Sequence, residues 1–198
     1  MNITINQPPK MDVLAFDGRA ERYPFFKMQV QEVRSSGHFT ELQITQHLRE
    51  RLRGDAFEAV HGTLPSGGSL DIILHVLESR FGNRFVITQA VTDKLLNRPK
   101  VRSGDVEDLS HFCAEIYNSL SILEAVGYRT ELDSYRTLSS LVEKLPAESQ
   151  LGWGSFARAE VEKGQPLTCQ RFYDFLSSHL KDCQFGVPKT RASDKPPQ

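Results

Sequence analysis

Between Ser103 and Val126 the apolar residues Leu109, Phe112, Cys113, Ile116, Leu120 and Leu123 recur at steps of three and four. That spacing lines one stripe of an α-helix, whereas a strand would scatter the same residues over both faces. Asp105, Glu107 and Asp108 occupy the expected first turn, where the helix dipole favours anions, and Gly127 supplies a left-handed stop. The pattern predicts one long amphipathic helix. It recurs in shorter form along most of the chain, and no segment alternates with period two for long.

Punctuation defines the other helices. Tyr23 to Val33 places Phe26, Val30 and Val33 on one face, with Pro24 in the first turn and Gly37 beyond the end. Thr40-Glu41-Leu42-Gln43 has the form of a capping box and opens a run with Ile44, Leu48 and Leu52. Gly54 to His61 is a short helix with Ala56, Phe57 and Val60 inward. Pro65 to Gly68 reads as a loop, and Ser69 caps a helix carrying Leu70, Ile73, Leu74, Leu77 and Phe81, ended by Gly82. Arg84 to Arg98 follows, and Pro99 prevents continuation. After the long helix, Thr130 precedes a segment with Leu138, Leu141, Val142 and Leu145. Ala147 to Lys163 is helical despite Gly152 and Gly154, and Thr168 caps a last helix with Phe172, Phe175, Leu176 and Leu180. Only Val13 to Phe16, before the Asp17-Gly18 turn, suits an extended strand. The expectation is an all-α chain of nine helices.

Pro99 to Gly104 is the best internal boundary. It separates five short helices from four others, each side large enough for its own core. The division expected is an extended arm (1–20), a first lobe (21–99), a second lobe (103–182) and a flexible tail (186–198). A single bundle is the alternative, because connections of this length also occur inside one domain.

Composition narrows the function classes. The 198 residues are 39% apolar and 25% charged, with 24 Lys+Arg against 25 Asp+Glu. Such a chain folds without staples, and its net charge of -1 gives no general attraction to phosphate backbones or anionic lipid. The three cysteines (Cys113, Cys169, Cys183) form no CxxC pair and read as core residues in a reducing compartment. There is no secretory leader pattern, and no apolar run long enough to span a bilayer. An intracellular protein with no membrane partner is expected.

No catalytic motif stands out: no G-x-S-x-G, no P-loop, no H-E-x-x-H. The six histidines are scattered, and His111 with Cys113 lacks the second half of a tetrahedral zinc site. Paired acids such as Glu107 and Asp108 sit where helix dipoles explain them. The sequence therefore argues for no enzyme, no cofactor and no metal. A composite site assembled from distant residues would require a polar pocket with perturbed titrating groups.

Several short words occur in order. Phe16-Asp17-Gly18 after Met11 to Ala15, followed by Tyr23-Pro24-Phe25-Phe26, resembles the "P-x-F-x-G…W-P-x-F" opening of retrotransposon Gag proteins of the BEL/Pao group. Leu52-Arg53-Gly54-Asp55-Ala56 resembles that family's "L-x-G-x-A". Leu77 to Asn83 is similar to its "L-x-x-R-F-G-[DN]", and Lys94 to Pro99 to its "L-L-N-x-P". Leu123 to Gly127 and Lys144-Leu145-Pro146 also fit in order and spacing. Gly104, Glu107 and Phe112 resemble the homology region that opens the C-terminal domain of retroviral capsids. Ser103 stands where that motif has Gln, and Glu115 where it has Arg.

The resemblance implies a capsid protein of retroviral type. It would be a Gag shell component that forms hexamers and pentamers through the first lobe and joins rings by dimerising through the second. By that analogy Ser134, Tyr135, Leu138 and Leu141 are two-fold interface candidates, although Leu138 and Leu141 suit the core better. The ring contacts would fall between Tyr23 and Leu52, and Arg19 or Arg22 would line a pore. The implied location is the cytoplasm, within virus-like particles, and the implied partner is the chain itself. Packaged RNA would be held by the tail cations Lys189, Arg191 and Lys195, or by segments outside this sequence, since no cysteine-rich knuckle occurs here. The alternative is a domesticated Gag-derived adaptor that binds a protein or peptide without forming particles.

Overall fold

The computed structural model describes residues 10–62 and 69–186. The Pro65–Gly68 loop, the tail after Gly186 and the arm before Lys10 lie outside the described residues. Among the described residues there are nine α-helices and no strand: α1 (Tyr23–Ser35), α2 (Glu41–Arg51), α3 (Gly54–His61), α4 (Leu70–Phe81), α5 (Arg84–Leu96), α6 (Val106–Val126), α7 (Tyr135–Val142), α8 (Ala147–Glu162) and α9 (Cys169–Gly186). The fold is all-α, as the apolar spacing predicts. Short 3-10 turns at Ala20–Arg22 and Arg129–Asp133 precede α1 and α7.

The chain divides into two compact units, Met1–Val91 with Ile122–Tyr128, and Thr92–Ser121 with Arg129–Gln198. In the first, the core is apolar: Val13, Phe16, Phe26, Val30, Ile44, Leu48, Leu52, Ile73 and Leu77 are all buried. Phe16 is the centre of an aromatic group, stacked on Phe26 at 4.8 Å and edge-on to Phe81 at 5.3 Å. The expected extended piece is present only as an isolated parallel bridge. Phe16 N donates to Arg51 O at 3.0 Å, and Arg53 N donates to Phe16 O at 2.9 Å.

Glycines make that junction possible. Gly18 has φ +97°, and a Cβ there would stand 2.9 Å from Asp55 Cβ. Gly54, with φ +48°, faces Asp17 O. The words Phe16-Asp17-Gly18 and Leu52 to Ala56 are thus two sides of one backbone contact. Leu77 to Asn83 is a helix stop and restart: Leu77 and Phe81 enter the core, and Asn83 Oδ1 accepts from Phe85 N at 3.0 Å to start α5. At its edge, Glu78 accepts from the Tyr23 hydroxyl at 2.8 Å and pairs with Lys27 at 2.7 Å. The Thr40–Gln43 capping box forms at the start of α2.

The second unit has a different interior. Phe112 meets Phe172, and Trp153 packs edge-on to Phe172 at 5.1 Å and against Phe175. Gly152 leaves room for the Phe175 ring, and α8 runs unbroken through both of its glycines. Cys113 and Cys169 are buried, and burial pushes the Cys169 thiol up to about 12. Segment 99–104 lies inside this unit. Val101 is buried and its N–H donates to Lys144 O at 2.8 Å.

Candidate functional site

The chain before α7 turns through Arg129–Asp133, and Ser134 then caps the helix, its Oγ accepting from Thr137 N at 3.1 Å. The cap is Ser134, so the helix begins at Tyr135, five residues after Thr130. That placement decides which side chains point where. Leu138 and Leu141 fall on the buried face, with Leu141 fully enclosed. Ser134 is committed to its cap. Tyr135, in the first turn, is 88% exposed. Of the four interface candidates, Ser134 and Tyr135 are exposed, and Tyr135 is the one large side chain among them left at the surface. Tyr135 forms one wall of a groove of about 330 Å³ between α7 and α8, whose other walls are Asp133, Leu138, Ser139, Val142, Trp153 and Leu167.

The capsid-homology positions are also in the second unit. Gly104 adopts φ +77° at the tight turn before α6. The carboxylate that accepts a first-turn N–H is Asp105, whose Oδ1 takes Asp108 N at 2.9 Å, while Glu107 is exposed. Phe112 is fully buried. Above its ring, 4.6 Å from the centroid, lies the Arg98 guanidinium. Arg98 donates to Glu115 Oε2 at 2.8 Å, to the Asp108 carboxylate and to Asp108 O. Its side chain is only 9% exposed. Glu115, standing where the homologous motif carries Arg, therefore meets an arginine from the end of α5.

Sequence reasoning did not single out Arg98, because a cation before Pro99 in a linker is ordinarily solvated. The signal that was available is the set of two acids, Asp108 and Glu115, on the same side of α6 at a seven-residue spacing. Arg19 and Arg22 lie at the other end of the chain and both pair with Asp17, at 3.2 and 3.3 Å, on an exposed corner of the first unit. Among the described residues no group of three or more His, Cys, Asp or Glu is placed to hold a metal ion. No described helix is long and apolar enough to cross a membrane.

A family model described as "protein of unknown function (DUF1759)" matches residues 16–162. The chain belongs to this family. DUF1759 is a family of retrotransposon-associated proteins. The matched span begins at Phe16, the bridge residue, and closes at Glu162, the last residue of α8, so it contains the ordered words quoted from the sequence from Phe16 onward but not Met11 to Ala15. The positions in those words are mostly structural: glycines at close approaches, caps, and buried aromatics. No curated protein matches the chain.

Proposed function

We propose that the chain is a structural Gag capsid protein of an LTR retrotransposon, assembling with copies of itself into shells around the element's RNA. Membership of a retrotransposon-associated family and an all-helical build in two compact units support this reading. The observation that carries it is the pairing of Tyr135 with its neighbouring groove. An aromatic projection and an apolar recess share one face of α7, and that arrangement is self-complementary. Two copies related by a two-fold axis would each seat Tyr135 in the other's groove, an isologous contact that closes at two. Trp153 and Val142 would supply the apolar walls.

Ring contacts would use α1 and α2, where Phe25, Met28 and Leu42 are exposed. Single large apolar residues on a surface are ordinary, so these three have weight only as a set on adjacent helices. Each contact is weak alone, and many copies in a closed shell make it stable. RNA would be bound elsewhere than on this near-neutral surface. Arg19 and Arg22 as pore residues would have to give up Asp17 to act on an anion.

The groove also suits a second reading, in which the chain is an adaptor and a partner peptide fills the recess. Electron microscopy at raised salt separates the two. Closed, regular shells are expected for a capsid, and persistent monomers would favour the adaptor. Sedimentation then tests the contact itself: Tyr135→Glu is expected to abolish the dimer while preserving the helical circular-dichroism spectrum. Unchanged association would reject the α7 assignment.

A further inference from the structure

We propose that Ser149, with His179 as its base, is a nucleophilic site that accepts an acyl group from small activated esters. The site is independent of the shell reading, and a different set of observations carries it. Ser149 Oγ lies 2.9 Å from His179 Nε2, within the distance a nucleophile and its base require. The imidazole is held in place by lying flat on Phe175, with ring centres 5.5 Å apart and planes 10° from parallel. A cavity of about 200 Å³ opens onto this pair, with apolar walls from Val101, Val106, Leu109 and Pro146. A dry cavity of about 150 Å³ holds benzene, so this one accommodates a short acyl group and part of an aryl leaving group.

The surroundings suit the chemistry. Ser149 is the third residue of α8, and the first N–H groups of a helix have no partner within it. Such donors stabilise the oxyanion that forms when a hydroxyl adds to a carbonyl. Glu148 lines the same cavity as His179. Its carboxyl is held below the ordinary value, chiefly by the Ser103 hydroxyl at 2.6 Å, with a smaller contribution from His179. An imidazolium formed during the reaction therefore shares its cavity with a carboxylate.

The step balances without a further reactant. Ser149 Oγ forms a bond to the acyl carbon as its proton passes to Nε2. The bond from that carbon to the leaving oxygen breaks, and the proton moves from Nε2 to the departing alkoxide. The products are O-acyl-Ser149 and an alcohol. Cys183 is the rival acceptor, its Sγ 3.8 Å from the same nitrogen. Its thiol is raised, by burial first and then by Asp182 and Glu148, which lowers the thiolate fraction.

The test is incubation of the full folded chain with 4-nitrophenyl acetate, followed by peptide mapping in the mass spectrometer. A burst of one equivalent of 4-nitrophenolate and an acetyl group on the Ser149 peptide are expected. His179→Gln should slow the burst by about 10²-fold, as loss of a general base does. Ser149→Ala should abolish it. Acetyl on Cys183 or on lysines with Ser149 unmodified overturns the proposal, as does an unchanged burst in His179→Gln. The map of the native chain decides the acceptor even where Ser149→Ala fails to fold.

Discussion

The first unit keeps charge at its edge, whereas the second takes charge inside. Around Phe16 the packed residues are apolar, the buried polar side chains described in this unit are the uncharged Thr45 and Thr88, and its charged groups, such as Glu78 with Lys27, lie at the margin. In the second unit Arg98 is enclosed between Phe112 and two carboxylates, and the Glu160 side chain, 8% exposed, takes Lys163 at 2.9 Å and Arg171 at 3.5 Å. Both units are helical, but their specificity has different sources. The first depends on backbone shape, through glycines that let two chain segments touch. The second uses two sets of ion pairs, one tying the segment after α5 to α6 and the other tying the end of α8 to α9. Buried ion pairs add little net stability relative to apolar packing, yet removing one partner is costly.

That contrast predicts its largest effect in the first unit. Phe16→Ala should cost about 3–5 kcal/mol in denaturant unfolding, the usual loss for a fully buried phenylalanine. Gly18→Val should be comparably damaging, because it combines a left-handed φ with a Cβ too close to Asp55. A loss below about 1 kcal/mol for Phe16→Ala would mean the bridge is not the centre of this core.

Next in size is Arg98→Met, expected to cost about 2 kcal/mol. The figure is below that for a wholly enclosed pair because Asp108 and Glu115 remain about a third exposed. Part of the loss should return in Arg98→Met with Glu115→Gln, which removes an unpaired carboxylate. A double-mutant cycle that shows no coupling would reduce Arg98 to a packing residue and erase the contrast between the units.

The same contrast explains what could be read from the sequence. The nine helices follow from apolar steps of three and four, closed by Gly37, Gly127 and Pro146, and their bounds shift by only a few residues. The Thr40–Gln43 box and the Asp17-Gly18 turn are local chemistry, visible in four residues. Arg98, Val101 and Glu160 were not visible. Arg98 meets Asp108 ten positions away, Val101 meets Lys144 43 positions away, and Glu160, besides its neighbour Lys163, meets Arg171 from α9. The candidate contact was half legible: aromatic Tyr135 stands out, but the groove beside it requires Trp153 and Leu167, which join α7 only in three dimensions. The Ser149–His179 pair, 30 residues apart, has no sequence signal at all.

Acid titration should sharpen the comparison further. The Glu160 carboxyl is held below its ordinary value, first by Lys163, with Arg171 adding its charge. For Glu78, burial pushes the carboxyl up, and the bonds to Lys27 and Tyr23 more than offset it. A depressed carboxyl contributes stability above its unfolded value, near 4.5, and loses it as pH falls toward the folded one. Stability should therefore be level from pH 7 to 5 and fall below about 4.5. Trp153, the single tryptophan, lies in the second unit, so its fluorescence reports that limb directly. Glu160→Gln should flatten the fluorescence titration, and an unchanged limb would remove Glu160 from the account. At the alkaline end the sign reverses for Tyr23. Burial, aided by Glu78, raises its hydroxyl, so stability is full below the unfolded value of 10.0 and declines above it. Tyr23→Phe should abolish that decline.

The smallest effect is expected where charge lies on the surface of the first unit. Asp17 accepts from Arg19 N and pairs with the Arg19 and Arg22 side chains, which are 60% and 54% exposed. Exposed pairs of this kind contribute from nothing to about 1 kcal/mol, so Asp17→Asn should change unfolding free energy by no more than about 0.5 kcal/mol. Gly18, the next residue, should respond far more strongly, because it is held by shape. If Asp17→Asn instead costs as much as Gly18→Val, this corner depends on charge as the second unit does, and the division between shape and ion pairing fails there. If the small effect is found, Asp17→Asn also becomes a usable reagent: it releases Arg19 and Arg22 without disturbing the core, and any anion-dependent assembly they support should strengthen in that variant.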